Sequence, residues 1–289
     1  MPIELLLPPR AKDLGGGFTV RRLLPAFHRQ AVGPFVFFDH FGPNTTRPED
    51  DHDVRPHPHI GLATVTYLFE GAMLHRDSLG SVQRIEPGAI NWMTSGRGIV
   101  HSERRPPDLR DVAHEMHGLQ LWAALPLAFE EVDPSFIHTP AATIPAWSQP
   151  GLAMRLLIGD AFGRRSPVAT YAATLYLDVA ADPDAALELP ASVAGHERAI
   201  YSVDLPLRVD GTDVPAQSLA IMAPGKATTI IAPQGARYVV IGGAPLDGTR
   251  FIWWNFVSSS KERIEQAKQD WTAQRIGTIP GEHEWIPLP

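Results

Sequence analysis

The sequence contains no cysteine, and this absence removes several kinds of chemistry from consideration. Without thiols there are no disulfide bonds and no cysteine nucleophile, and any metal must be held by nitrogen and oxygen atoms. Long apolar runs are missing as well, because none approaches the roughly 20 residues that a membrane-spanning helix needs. We therefore do not expect the chain to span a membrane.

An excess of positive charge is also missing. The 289 residues include 25 lysines and arginines against 32 aspartates and glutamates, which gives a formal net charge of −7. Nucleic acids and anionic membranes are bound through clustered positive charge, so we expect direct binding to neither. The start of the chain, Met1-Pro2-Ile3-Glu4-Leu5, has no basic region followed by an apolar core and a cleavage site. We therefore predict a cytoplasmic protein.

Proline and glycine, by contrast, are abundant, with 28 and 24 residues. They divide the chain into short segments, and several of these, such as 61–69, alternate between the two faces of a strand. A glycine turn at 15–17 precedes the first series of strands, and a second series begins near Met154. The pattern predicts an all-β fold of two tandem jelly-roll barrels, at residues 1–135 and 136–289.

One short helix is predicted near the end of the chain, over residues 260–272. Ser259 and Glu262 have the spacing of a capping box, in which each side chain bonds a backbone amide at the start of a helix. We expect this helix to pack against one of the barrels. Its apolar face consists of Ile264, Ala267 and Trp271.

Two short motifs carry potential metal ligands, His57-Pro58-His59 and His101-Ser102-Glu103. In each motif the two ligands are separated by one residue. On a strand, residues i and i+2 project from the same face about 7 Å apart, which is close enough to converge on one ion. Two such strands lying side by side would place three imidazoles and one carboxylate around a single centre.

The second half of the chain repeats the pattern without the ligands. In the register set by a Pro-Gly turn and a glycine ten residues later, His101 falls on Tyr238 and Glu103 falls on Val240. The second half also has no pair of histidines separated by one residue. We therefore predict one metal site, in the N-terminal barrel.

The N-terminal half as a whole carries a family resemblance. Its motifs, which include both pairs of ligands, closely resemble those of the pirin family within the cupin superfamily. The match is specific and covers most of this half, whereas the second half agrees only in being another cupin-like barrel. The matching segments are residues 33–40, 55–61, 64–71, 75–80, 92–103 and 117–122.

The resemblance implies two cupin barrels and one mononuclear iron-type centre, ligated at the positions of His57, His59, His101 and Glu103. Two lines of function are known in the family. Some bacterial pirins look like quercetin 2,3-dioxygenases, whereas animal pirin is an iron-dependent co-regulator of transcription factors. The resemblance therefore implies the site more firmly than it implies the substrate.

Ligand type alone leaves the identity of the metal open. Three imidazoles and one carboxylate suit Fe, Cu, Ni, Mn or Zn. Four protein ligands leave one or two positions free on a five- or six-coordinate ion, which is typical of catalytic sites. The resemblance favours Fe(II), which we predict as the cofactor, with Cu, Ni, Mn and Zn as alternatives.

We predict a quercetin 2,3-dioxygenase-type oxygenase that acts with O2 on flavonols or similar small aromatic compounds. Glu103 is the predicted catalytic base, because it is the only ionisable group in the ligand set that is not a histidine. It would accept the 3-hydroxyl proton before the ring opens with loss of carbon monoxide. Phe37, Trp92 and Met93 are candidate walls for a flat substrate. The alternative is a non-enzymatic protein whose iron and redox state control binding to a protein partner.

Two other histidine patterns are not predicted to bind a metal. His75, beside Arg76 and Asp77, is predicted to stabilise a turn or to lie on the surface. The segment His114-Glu115-Met116-His117 is one residue short of the zinc-protease motif and lies among strands, so it is not expected to bind zinc.

Overall fold

The computed structural model describes residues 2–15 and 17–289. The predicted glycine turn at 15–17 includes Gly16, which lies outside the described residues. Short strands dominate the rest of the chain, and one α-helix lies near its end. The predicted all-β fold is confirmed.

The strands are short and follow one another closely along the chain. Those of the first half are β1 (Ile3–Leu7), β2 (Arg10–Asp13), β3 (Thr19–Leu24), β4 (Phe35–Thr46), β5 (Val54–His59), β6 (Leu62–Glu70), β7 (Met73–Asp77), β8 (Val82–Ile85), β9 (Ile90–Thr94), β10 (Ile99–Arg104), β11 (His114–Ala124) and β12 (Ser135–Thr139).

Those that follow are β13 (Ala146–Gln149), β14 (Leu152–Ile158), β15 (Asp160–Ala161), β16 (Arg164–Arg165), β17 (Thr174–Ala181), β18 (Ala185–Leu189), β19 (Glu197–Ser202), β20 (Leu207–Val209), β21 (Thr212–Val214), β22 (Leu219–Met222), β23 (Thr228–Ala232), β24 (Ala236–Gly243), β25 (Phe251–Trp253) and β26 (Phe256–Ser258). In the described part of the chain, three short 3-10 helices, Pro107–Leu109, Leu127–Phe129 and Ala141–Thr143, precede one α-helix, α1 (Lys261–Thr272).

The described chain packs into two compact units, and each unit is built from several segments. We call residues 11–15, 17–21, 39–141 and 246–289 the N-terminal barrel, and residues 2–10, 22–38 and 142–245 the C-terminal barrel. The division at residue 135 stays a prediction. In the structure, two segments belong to the opposite barrel from the one that this division predicts. Strand β1 belongs to the C-terminal barrel, and residues 246–289 belong to the N-terminal one.

Each barrel combines a large sheet with a small one. In the C-terminal barrel the orders are β1-β22-β19-β24-β17-β14-β13 and β18-β23-β20-β21. Strands of both sheets contribute to one apolar core, which includes Leu177, Ile200, Val209 and Ile230. Tyr238 and Val240, the predicted counterparts of His101 and Glu103, are buried in this core. The corresponding sheets of the other barrel have the orders β12-β9-β6-β11-β4-β3-β2 and β5-β10-β7-β8.

Helix α1 begins at Lys261, one residue later than the sequence predicts. Ser260, rather than Ser259, is the N-cap, and its hydroxyl accepts a hydrogen bond from Arg263 N. Ser259 is unavailable for this role because its amide and hydroxyl both donate to the carboxylate of Glu130. The predicted apolar face is confirmed, since Ile264, Ala267 and Trp271 are buried. No helix among the described residues is long and apolar enough to cross a membrane.

A buried ion pair ties the last segment of the chain into the N-terminal barrel. Arg250 Nε lies 2.8 Å from Glu130 Oε1, and the two side chains are 1% and 8% exposed. Breaking such a pair leaves an uncompensated charge in a poorly solvated site. The pair therefore fixes residues 246–260 against the 3-10 helix that ends at Phe129.

We expect Glu130→Ala to lower the free energy of unfolding by about 3–5 kcal/mol, because buried Arg250 would keep only its half-exposed partner Asp247 and Ser259 would lose its acceptor. Urea denaturation followed by circular dichroism measures this change. The matched control is Asp160→Ala, which removes the carboxylate of an exposed pair with Arg165 and should leave the midpoint unchanged. A loss below about 1 kcal/mol for Glu130→Ala would contradict the buried-pair interpretation.

Candidate metal centre

Strands β5 and β10 carry the two predicted ligand motifs and pair with each other in antiparallel fashion. His101 lies directly opposite His57 in this ladder. Because directly opposed residues of antiparallel strands project from the same face, His57, His59 and His101 share one side of the sheet. Strand β5 is at the edge of its sheet, as the missing N–H of Pro58 predicts.

The three imidazoles converge inside the N-terminal barrel. One ring nitrogen from each of His57, His59 and His101 lies within 4.8 Å of the others, and this is the only such cluster of potential ligands among residues 2–15 and 17–289. The Nε2 atoms of His59 and His101 are 3.1 Å apart. All three side chains are buried. The structure therefore brings together three of the four predicted ligands.

Backbone carbonyls fix the tautomers of two of these rings. His57 Nδ1 lies 2.9 Å from the carbonyl oxygen of Arg55, and His59 Nδ1 lies 3.1 Å from that of Asn255. A carbonyl oxygen only accepts, so each Nδ1 must carry the proton. The Nε2 lone pairs of His57 and His59 are then free to bind a metal. His101 Nδ1 is buried and has no hydrogen-bond partner within the described chain.

Burial keeps the three rings neutral. Desolvation, opposed by the hydrogen bond to Arg55, lowers the pKa of His57 to about 4. Desolvation also holds the pKa values of His59 and His101 well below the usual 6.5, and the neighbouring histidines lower them further. A neutral imidazole is the form that binds metals. The cluster is therefore ready to bind a metal at neutral pH.

Glu103 lies on the same strand but outside the histidine cluster. A bulge between His101 and Glu103 changes the register, so Glu103 pairs with Val54 on β5. The ladder with β7 is regular here, so Glu103 stays on the same face as His101 and lies opposite His75. Burial raises the pKa of Glu103 to about 7, and a hydrogen bond with Thr66 opposes this shift. Its role as a ligand stays a prediction, and its carboxyl exchanges protons near neutral pH.

A buried pair that the sequence interpretation missed lies beside the cluster. His75 Nε2 is 2.9 Å from Asp77 Oδ2, and both side chains are buried, so the prediction of a surface histidine is wrong. On β7 these residues lie opposite Glu103 and His101, and therefore on the same face as the candidate ligands. The signal was present, since His75-Arg76-Asp77 has the same one-residue spacing as the two ligand motifs.

The turn that follows β7 is stabilised by Asp77, whereas His75 is the residue that the sequence predicts to stabilise a turn. Its Oδ1 accepts hydrogen bonds from the amides of Leu79 and Ser81. Burial alone would raise the pKa of Asp77, but the bonds from His75 and Ser81 outweigh it and lower that pKa. The ring of His75 stacks on Phe136 at 4.0 Å. Asp77 therefore favours its ionised form, and the His75 ring lies 5.3 Å from that of His101.

The large sheet supplies the wall opposite the histidines. The Trp122 ring centroid lies 5.1 Å from that of His59, and Trp122 is directly opposite Thr64. Met93 also pairs with Thr64 and so faces the same side, as predicted. Trp92 pairs with Val65 and faces the other side, so its predicted role as a wall is wrong. Phe37, the third predicted wall residue, belongs to a segment of the C-terminal barrel.

A narrow cleft reaches Glu103 from outside the N-terminal barrel. Its volume is about 30 Å³, which is enough for only a few water molecules. The loop at 47–53 lies at its mouth, where Arg105 donates to the carbonyl oxygens of Arg47 and Pro48. The cleft is lined by Phe18, Thr46, His52, Asp53, Val54, Ala72, Met73, Glu103, Arg104, Arg105, His114 and Met116.

The end of the chain supports β10 from its outer face. Ser102 Oγ donates to Glu282 Oε1 at 2.7 Å, and Arg104 Nε donates to Glu282 Oε2 at 3.2 Å. Arg104 also bonds Glu284. Ser102 and Arg104 alternate with His101 and Glu103, so these contacts fix the strand that carries both candidate groups.

The donor set fits a transition metal. Three neutral imidazoles in a buried cluster, without sulfur and with a carboxyl group on the same strand, match the nitrogen and oxygen ligands that Fe, Ni, Cu, Mn and Zn accept. The two rings held by backbone carbonyls already have the tautomer that ligation through Nε2 requires.

Comparison with known proteins agrees with this architecture. Residues 17–123 match the family model for Pirin, and residues 176–277 match the model for the Pirin C-terminal cupin domain. A pirin-like protein from Caulobacter vibrioides is 47% identical over 291 residues, which cover 99% of each chain. Human pirin is 32% identical over 282 residues, covering 95% of this chain and 93% of its own.

The crystal structure of quercetin 2,3-dioxygenase from Acinetobacter baumannii superposes with a TM-score of 0.91 at 34% sequence identity. The match covers 99% of this chain and 94% of that one. These similarities extend over both barrels and confirm the predicted family. The chain belongs to the pirin family and contains two cupin domains.

Proposed function

We propose that His57, His59, His101 and Glu103 hold one transition metal and that this metal is Fe(II). The observation that carries the proposal is the buried cluster of three imidazoles, whose nitrogens lie within 4.8 Å of one another. Glu103 lies on the same strand and the same face as His101 and would complete the set. Cu, Ni, Mn and Zn suit the same ligands and are the alternatives.

We further propose that the protein is a quercetin 2,3-dioxygenase-type oxygenase for flavonols or related small aromatic compounds. The support is the likeness over both barrels to the A. baumannii quercetin 2,3-dioxygenase, together with a carboxyl group suited to proton transfer. When bound, the metal would supply the redox chemistry with dioxygen that amino-acid side chains lack.

Glu103 performs the proton transfer in this proposal. As a ligand Glu103 would be ionised, so its carboxylate can accept the 3-hydroxyl proton as a flavonol binds. The aromatic ring of Trp122 and the side chain of Met93 face the interior and would contact the flat ligand. Burial around His59 and His101 excludes bulk water from the reacting atoms.

The size of the cleft favours a second candidate function. Ligand pockets commonly have volumes of about 300–1,000 Å³, whereas the cleft at Glu103 has about 30 Å³. A flavonol therefore enters this cleft only if the cleft widens. A non-enzymatic metal protein that binds a protein partner needs no such opening.

One equivalent of metal per chain is expected, in the N-terminal barrel. His101→Ala removes a central imidazole and should abolish most binding, as measured by elemental analysis after loading and desalting. The matched control is Tyr238→Phe, which changes the counterpart residue in the C-terminal barrel while preserving its packing. Circular dichroism checks that both variants fold. Two equivalents in the wild type would contradict the single site.

The pH dependence of metal affinity tests Glu103 as a ligand. A carboxyl with a pKa of about 7 is protonated below that pH, so a metal that it ligates must displace one proton. The apparent dissociation constant of Zn²⁺ should then rise about tenfold per pH unit from pH 7 to pH 5. The histidines should add less in this range, because burial lowers the pKa of His57 to about 4 and also lowers the pKa values of His59 and His101.

The control for this titration is Glu103→Gln, which should bind Zn²⁺ more weakly and show a flat profile between pH 7 and pH 5. A wild-type profile that is flat over the same range would remove Glu103 from the ligand set and leave the three histidines.

Turnover tests the enzymatic proposal. The iron-loaded protein should consume oxygen and release carbon monoxide with quercetin. Glu103→Gln should lower the rate per bound iron by about 10²–10⁴, the usual contribution of a general base. Both rates are normalised to measured iron content, so that lost metal is not mistaken for lost catalysis. No carbon monoxide from fully loaded wild type with several flavonols would favour the non-enzymatic protein.

A further inference from the structure

His59 is anchored by a part of the chain that lies far away in sequence. The carbonyl oxygen that accepts from its Nδ1 belongs to Asn255, 196 residues later. Asn255 is in the two-residue loop of the hairpin formed by β25 and β26, in which Trp253 pairs with Phe256. The orientation of one peptide group in this loop therefore determines which nitrogen of His59 carries the proton.

The loop has an unusual first residue. Trp254 has a φ of +51°, a conformation in which glycine is the usual residue and a bulky side chain is rare. Such a conformation costs about 1–3 kcal/mol and persists only where the surroundings enforce it. Here the Trp254 ring packs edge-on against Phe256 at 5.7 Å and against Trp253 at 6.3 Å. The aromatic contacts hold the loop in its conformation.

The hairpin is also fixed to the end of strand β5. Val257 N donates to Ile60 O at 3.2 Å, and Phe256 forms a parallel bridge with Ile60. Gly61 has a φ of +67°, and a Cβ atom there would lie 2.0 Å from Val257 O. This glycine allows the hairpin to approach the residue that follows His59. The distance between the loop and the His59 ring is thus set by backbone contacts.

Helix α1 covers the other side of the hairpin. Lys268 Nζ lies 4.1 Å from the Trp253 ring centroid, and Lys261 Nζ lies 5.0 Å from that of Phe251.

The other two histidines of the cluster have no anchor of this kind. The Nδ1 atom of His101 has no hydrogen-bond partner within the described chain. The carbonyl that accepts from His57 belongs to Arg55, only two residues away on its own strand. His59 is therefore the ligand whose orientation depends on tertiary structure.

We propose that the Trp253-Trp254-Asn255 turn is the positioning element of the metal centre, and that Trp254 is its key residue. By holding the Asn255 carbonyl against Nδ1, the turn keeps His59 in the tautomer that presents the Nε2 lone pair to the metal. The inference rests on the proposed metal centre but not on the proposed oxygenase activity. Groups that orient ligating histidines typically change metal affinity by about 10–100-fold.

The test compares three variants of the full-length protein. Trp254→Gly keeps a residue suited to positive φ while removing the aromatic contacts, so the loop can form but is no longer held. Trp254→Phe is the conservative variant that retains an aromatic ring. Trp285→Ala is the matched control, because it removes a tryptophan that packs in the same apolar cluster against Trp271 rather than against the loop.

Two measurements are made on each variant. Nitrogen NMR of ¹⁵N-histidine-labelled, metal-free protein reports the tautomer of His59, whose signals are assigned by comparison with His59→Gln. Competition with a chelator gives the dissociation constant for Zn²⁺, a redox-inert probe of the centre. Thermal denaturation records the loss of stability that any lost tryptophan contact causes.

The wild type should show His59 protonated at Nδ1. In Trp254→Gly this ring should become a mixture of tautomers, and the Zn²⁺ dissociation constant should rise about 10–100-fold. Trp254→Phe should restore most of both properties, and Trp285→Ala should lower the melting temperature while changing neither.

Three results would overturn the proposal: His59 protonated at Nε2 in the wild type, Trp254→Gly with unchanged tautomer and affinity, or an equal loss of affinity in Trp285→Ala. If the three histidines do not form a metal site, the result is different: the wild type binds no Zn²⁺, and the positioning role is then also wrong. Loss of flavonol turnover alone changes none of these measurements.

Discussion

The antiparallel pairing of β5 with β10 is the constraint on which the rest of the site depends. It places His57 directly opposite His101 and sets His59 on the same face, so one ladder produces the cluster of three imidazoles. In the same sheet β10 also pairs with β7, and this second ladder places the buried His75–Asp77 pair beside the imidazole cluster. A shift of one residue in this register would turn every one of these side chains to the opposite face.

The segment at 246–289 completes the surroundings of the site, although most of it lies far from the histidines in sequence. The hairpin of β25 and β26 orients His59, and Glu282 supports β10 through Ser102 and Arg104. The buried pair of Arg250 and Glu130 fixes the same segment to the barrel. Metal affinity is therefore expected to depend on the contacts that this segment makes with His59 and with β10, whereas its other contacts, such as that of Trp285 with Trp271, stabilise the fold alone.

Local periodicity was sufficient to predict the two barrels, the paired histidine strands and the helix, since each depends on side-chain spacing within one element. It was insufficient where the outcome depends on contacts between distant segments. Nothing near His59 indicates the Asn255 carbonyl, and nothing in the spacing of the second motif indicates that Glu103 lies outside the cluster of three histidines. The burial of His75 was also missed, because a histidine beside an arginine and an aspartate is typical of an exposed turn.

The central claim is that the three histidines hold a single metal through their Nε2 atoms. Anomalous diffraction from crystals of the iron-loaded protein, recorded on both sides of the iron absorption edge, measures this directly. We expect one peak per chain, about 2.0–2.2 Å from the Nε2 atoms of His57, His59 and His101. A peak elsewhere, or a metal bound by fewer than these three rings, would contradict the account.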